Sequence, residues 1–169
     1  MQLKEFEGKT IFRHYGLAVP NGVVVKNTTE IATAVQSLHF PVMVKAQVHA
    51  GKRGKAGGIK RCATKEEGEQ TVRQLLGTTL LSETVHEILV EECLTIKQEH
   101  YAAATFDTTT RTPIVILCKQ GGVDIEEYQK SHPNSVCILP IDALEGLQED
   151  QAKQLAQRAG FAETELQSI

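Results

Sequence analysis

The chain has 169 residues, with 18 Lys and Arg against 21 Asp and Glu, a formal net charge of −3. Hydrophobic residues make up 41%, with 13 Gly and 5 Pro. That length can bury a real core as one domain or two small lobes. The composition excludes an intrinsically disordered chain, and the acidic balance argues against a general nucleic-acid binder while leaving room for a local basic patch.

In chain order, Leu3, Phe6, Thr10 and Ile11 recur at helical spacing and predict a helix from about Lys4 to Tyr15, capped by Gly16. The N-terminal stretch has no apolar run of signal-peptide length. Pro20-Asn21-Gly22 is a turn, followed by a "GVVVK" strand. Ile31, Ala34, Val35 and Leu38 form the stripe of a second helix, and "VMVKA" after Pro41 is the next strand. "IKRCA" is a short strand, and Thr64 to Glu67 is a capping box opening a helix to about Leu76, with Gly77 as terminator. "EILVEE", "HYAAATFD" and "PIVILC" read as strands, the last two joined by a turn from Asp107 to Arg111 in a small antiparallel sheet. "NSVCILPI" is a further candidate strand. Leu144, Leu147, Ala152, Leu155, Ala156 and Ala159 support a final helical region ending near Gly160. The fold class is α/β or α+β, with no internal repeat and no stretch approaching the length of a membrane span.

Cys62, Cys93, Cys118 and Cys137 include no CxxC pair. They read as buried or half-buried thiols of a reducing compartment rather than as a zinc site or a disulfide scaffold.

The most informative segment is "QVHAGKRGKAGGIK", Gln47 to Lys60, with four glycines and four basic residues. It joins two strands, unlike a P-loop, and contains neither GxxxxGK[ST] nor GxGxxG. Three readings stand at this level: a solvated hairpin loop, a phosphate or nucleotide loop, and a nucleic-acid arm. The last is weakened because no aromatic residue interleaves with the charges. Glycines let backbone amides approach phosphate oxygens, and Arg53 can bind two oxygens at once. Lys45 ends an apolar strand on the face opposite Val42 and Val44, so it lies at a sheet edge or points into a cleft. Glu91 and Glu92 end a second strand, and Glu99 follows. Such carboxylates can receive a ribose hydroxyl or a base amine, although each alone is more often a solvated strand end.

"LKEFEGKTIFRHYGLAVPNGVVV", "VKAQVHAGKRGKAGGIK", "ILVEE" and "QGGVDIEE" together resemble the β subunit of succinyl-CoA synthetase (succinate–CoA ligase), over nearly the whole chain to about Phe161. Malate–CoA ligase β subunits are similar as well. The resemblance implies an ATP-grasp fold, with residues 1–161 a partial two-lobed domain and 162–169 a tail or truncated continuation. It places the family's strand lysine on Lys45 and its Gly-Arg-Gly contacts on Lys52, Arg53 and Gly54, with Lys52 replacing a small residue. It places further nucleotide contacts on Glu91, Leu94 and Glu99. Gln120, Gly121 and Gly122 match the start of an "EGGVEIE" stretch, with Gln120 in place of Glu.

The implied activity is that of an acid–thiol ligase. It couples ATP or GTP to acyl-CoA formation from a dicarboxylate, through a phosphohistidine on an α-subunit partner, with Mg2+ required and CoA a substrate of the full complex. The family's magnesium ligands and its C-terminal domain lie beyond this chain, so no catalytic or metal residue is assigned here, and the chain alone is expected to be inactive. His49 is read as a loop or supporting residue, and neither it nor His86 as the phosphorylated histidine. Alternatives are a nucleotide-binding module without turnover, a subunit-pairing fragment, and, less well matched, a carboxylate–amine ligase. Neither nucleic acid nor membrane is an expected partner. The implied compartment is the cytoplasm of a bacterium or a mitochondrial matrix.

Overall fold

The computed structural model describes residues 3–51 and 53–165, which fall into two compact units, Met1–Thr95 and Ile96–Ile169. Lys52, one of the expected contacts, lies outside the described residues.

The first unit begins with α1, Glu5–His14, whose start is fixed by the Glu7 carboxylate accepting the Lys4 backbone N–H at 2.8 Å. Gly16, at φ +80°, ends it as expected. Then follow β1 (Gly22–Val25), α2 (Ile31–Gln36), β2 (Val42–Ala46), β3 (Ile59–Cys62), α3 (Lys65–Leu75), a short hairpin of β4 (Thr79–Leu80) and β5 (Glu83–Thr84), and β6 (Ile88–Glu92). The larger sheet has the order β1-β6-β2-β3 and is antiparallel throughout. β2 is therefore an interior strand, which removes the sheet-edge reading of Lys45.

Alternation along these valine-rich strands gives the sheet two different faces. Val42, Val44 and Val90 are fully buried with Ile31, Val35 and Val72 from α2 and α3. Each such side chain stabilises the fold by about 1.5–3 kcal/mol, as an upper estimate. The opposite face carries Met43, Lys45, Leu89 and Glu91 in register, and α1 lies on it. At α3 the Thr64 hydroxyl accepts the Glu67 N–H at 3.3 Å, but Glu67 returns to the Ala63 N–H at 2.7 Å instead of that of Thr64. The reciprocal half of the expected box is thus shifted by one residue.

The second unit is an antiparallel meander of β7 (Tyr101–Asp107), β8 (Thr112–Cys118) and β9 (Val136–Pro140), with α4 (Ile125–Ser131) between the last two strands and α5 (Glu149–Arg158) after them. Its core joins Leu117 and Cys137 to Leu155, Ala156 and Phe161. The last helix starts later than its apolar pattern predicts. Asp142 accepts the N–H groups of Leu144 and Glu145 at 2.8 and 3.1 Å, and Gly146 turns at φ +70°. Residues 142–146 are therefore a side-chain-capped turn, and Leu144 is 97% exposed.

Cys62, Cys118 and Cys137 are buried and Cys93 is half-buried, all as free thiols. Among the described residues, no helix is long and apolar enough to cross a membrane.

Candidate functional site

The site of the first unit is built on the polar face of its sheet. β2 delivers Lys45 and β6 delivers Glu91, and antiparallel register sets Met43 opposite Glu91 and Lys45 opposite Leu89. The two charged residues are therefore diagonal neighbours on one face. Gly22 of β1 is also directly opposite Glu91, and a Cβ there would come within 2.9 Å of the Glu91 Cβ. The glycine keeps that part of the face clear.

α1 supplies the rest. Glu5 and Lys9, one helical turn apart, point together at the sheet. One Glu5 oxygen accepts Lys45 Nζ at 2.9 Å and Lys9 Nζ at 3.0 Å, and the other accepts Arg53 Nη2 at 2.9 Å. Glu91, only 3% exposed, accepts Lys45 on one oxygen and Lys9 on the other. Three cations against two carboxylates leave one positive charge in a cluster that is largely screened from water. Burial by itself would raise the Glu5 carboxyl, but the hydrogen bonds and charges of Lys45 and Lys9 outweigh it and hold the pKa down to about 2. Burial would likewise lower Lys45, but Glu91 and Glu5 together raise it above the ordinary lysine value. Glu5 and Lys45 are therefore both ionised at neutral pH.

The glycine-rich segment is fastened at its base. Ala46 N–H donates to Gly58 O at 2.7 Å, and Gly58 N–H donates to Arg53 O at 2.9 Å. Gly57 turns at φ +78° and closes on Gly54 O at 3.1 Å. Arg53 is tied by Nη1 to Ala46 O at 3.0 Å and by Nη2 to Glu5, which among the described residues leaves further N–H donors uncommitted. A cavity of about 410 Å³ adjoins it, walled by Glu5, Val48, Ala50, Gly51, Arg53 and Gly54. A hollow walled by glycine backbone and an arginine fork suits phosphate oxygens. His49 turns its ring and its backbone N–H onto Glu83 at 3.0 Å, a loop-supporting role.

The structure therefore brings together Lys45, Arg53, Gly54 and Glu91 of the expected residues. Leu94 follows β6 and is 61% exposed. Glu99 belongs to the second unit, where its carbonyl accepts the Gly121 N–H at 2.9 Å. A Cβ on Gly122 would lie 2.3 Å from the Glu99 carboxylate, and one on Gly121 2.6 Å from the His100 backbone. The paired glycines are thus a seat for the Glu99–His100 segment.

Sequence reasoning missed Glu5 and Lys9. Their i,i+4 spacing was readable, but it is also what any solvated helix face shows. Among the described residues, no group of three or more His, Cys, Asp or Glu side chains is placed to hold a metal ion.

The profile of the ATP-grasp domain matches residues 2–169. The chain belongs to the ATP-grasp family. Among curated relatives, this ATP-grasp chain is 38% identical over 161 residues to the succinate–CoA ligase [ADP-forming] subunit beta of Chloroflexus aurantiacus, covering 95% of this chain and 42% of that protein. It is 37% identical to the same-named protein of Aquifex aeolicus, covering 100% of this chain and 46% of the relative. The ATP-grasp chain thus spans less than half the length of these relatives. Among solved structures, the dinucleotide-forming acetyl-coenzyme A synthetase 1 of Ca. Korarchaeum cryptofilum superposes with a TM-score of 0.69 at 22% identity, covering 94% of this chain and 66% of that one. The ATP citrate lyase of Methanothrix soehngenii gives 0.64 at 20% identity, covering 86% and 36%. At these identities the two structures speak to the fold.

Proposed function

We propose that this chain is the nucleotide-binding ATP-grasp portion of a succinate–CoA ligase β subunit, ADP- or GDP-forming. The observation that carries the proposal is the convergence of Lys45 and Arg53, from two separate segments, on Glu5, with Arg53 and Glu5 walling a cavity together with the glycine-rich segment. The names of the curated relatives support the ligase class. In this reading Lys45 and Arg53 neutralise and place the triphosphate, Gly54 lets backbone approach it, and Glu91 and Leu94 lie towards the nucleoside end. Lys52, by its position, adds charge to the same segment. The described residues do not gather a magnesium site. In the full complex the bound nucleotide would drive acyl-CoA formation from a dicarboxylate and CoA, releasing nucleoside diphosphate and phosphate, with an α subunit carrying a phosphohistidine. Malate–CoA ligase is the neighbouring substrate assignment.

One observation favours a second reading. Lys45 is already held by two carboxylates and Arg53 by one. A satisfied ionic network of this kind also fits a scaffold that pairs with another subunit without taking nucleotide. Calorimetric titration of this chain with ATP and with GTP, with and without magnesium, separates the two. Saturable binding that Lys45→Ala weakens is the expected result. A folded chain with no heat of binding would favour the scaffold, and a Lys45→Ala variant with unchanged affinity would overturn the role given to Lys45.

A further inference from the structure

Arg53 sits in a loop segment with glycines at 51, 54, 57 and 58, outside the sheet and fastened to it at its base. Lys45 comes from a rigid interior strand. A triphosphate bridging the two needs them at a fixed separation; the Ala46 carbonyl holds Arg53 Nη1 near the strand, and Glu5 is the side chain that joins the two cations directly. Glu5 takes Lys45 on one oxygen and Arg53 on the other, at 2.9 Å each. It is itself held in place by Lys9, which also ties it to Glu91. Glu5 is moreover part of the cavity wall, alongside Arg53.

We propose that Glu5 is a positioning residue of the nucleotide site, acting through Lys45 and Arg53 to preset the two cations for a polyphosphate. The proposal rests on the nucleotide-binding reading above. Glu5 accepts hydrogen bonds and cannot donate one to a phosphate at neutral pH, so it does not bind the ligand. Its contribution is geometric. A guanidinium already fixed loses less freedom when phosphate arrives.

The test compares binding of MgATP and of AMP by the wild-type chain and Glu5→Gln. The expected result is an ATP Kd raised by about tenfold or more with a much smaller change for AMP, because displaced cations cost most where several phosphates must be spanned. The preference for ATP over AMP therefore narrows. Equal losses for both ligands would mark Glu5 as a merely structural residue, and tighter ATP binding would mark it as a competing counter-ion. Either result overturns the proposal. If Glu5→Gln does not fold by circular dichroism, Glu5→Asp decides. It keeps the charge but is one methylene too short to reach both cations, so the same narrowing is expected and an unchanged preference refutes the proposal. Failure of the wild type to bind ATP would instead overturn the nucleotide reading itself.

Discussion

Replacing Glu5 by glutamine removes one charge from the middle of the ionic cluster and leaves the side-chain shape intact. In the folded protein the Glu5 carboxyl is held at about 2 against an ordinary value of 4.5. At 1.36 kcal/mol per pKa unit, that depression corresponds to stabilisation on the order of 3 kcal/mol when the group is ionised. The side chain is 21% exposed, so solvent screening removes only part of this. Because the folded pKa lies below the unfolded one, the stabilisation is complete above about pH 5 and is lost as pH falls through 4.5 towards 2. After that discount the expected outcome is a Glu5→Gln variant less stable than wild type by about 1–2 kcal/mol at neutral pH, with the gap closing on acidification as wild-type Glu5 takes up its proton. Urea titrations followed by circular dichroism, at constant ionic strength and stepped pH, measure it. The other depressed carboxylates, such as Glu87 paired with Lys4 and Lys26, act equally in both proteins and cancel in the difference. A gap that stays constant with pH, or one below about 0.5 kcal/mol at neutral pH, the range of ordinary surface substitutions, would refute the reasoning.

Three further outcomes follow from the same structure. Gly68 lies inside α3, where a Cβ would meet Phe40 and Val35 at 3.5 and 3.8 Å, ordinary contact distances; Gly68→Ala should raise stability by about 0.5–1 kcal/mol, read as a higher urea midpoint. Gly121→Ala should do the opposite, because its Cβ would fall 2.6 Å from the His100 backbone; a loss of about 1–3 kcal/mol is expected, and an unchanged midpoint would show that the Glu99–His100 segment gives way freely. Cys93, half-buried, should react with a thiol reagent under native conditions well before Cys62, Cys118 and Cys137, which should follow only on unfolding.

Much of the first unit was legible because its strands follow a simple rule. The "VMVKA" and "EILVEE" segments are short apolar runs ending in charged or small residues, and both appear as strands where expected. Lys45 stood out because a charged residue on such a strand needs a reason. The hairpin of β4 and β5 gave no such signal. Its turn residues, Leu81 and Ser82, adopt φ of +51° and +67° without a glycine to announce them. α4 was missed because it is short and buries none of its residues, which leaves no apolar stripe to read. Leu144 and Leu147 misled for the converse reason. They extend a helical spacing that Asp142 and Gly146 cancel by forming a turn. In the site, Lys45, Arg53 and Glu91 were found through strand ends and the glycine-rich motif. Glu5 and Lys9 were not, because their partners are 40 or more residues away in sequence and only the packing of α1 on the sheet brings them there.

The alternation along β2 has a consequence for how this protein can change. Val42 and Val44 face the apolar core, while Met43 and Lys45 face the charged cluster. Neighbouring codons in one five-residue strand therefore answer to different demands. A library screened for survival of heat would be intolerant at the even positions, and one screened for ligand capture would be intolerant at Lys45. On the nucleotide reading proposed above, Lys45 answers to both demands, because it also holds Glu5 and the buried Glu91.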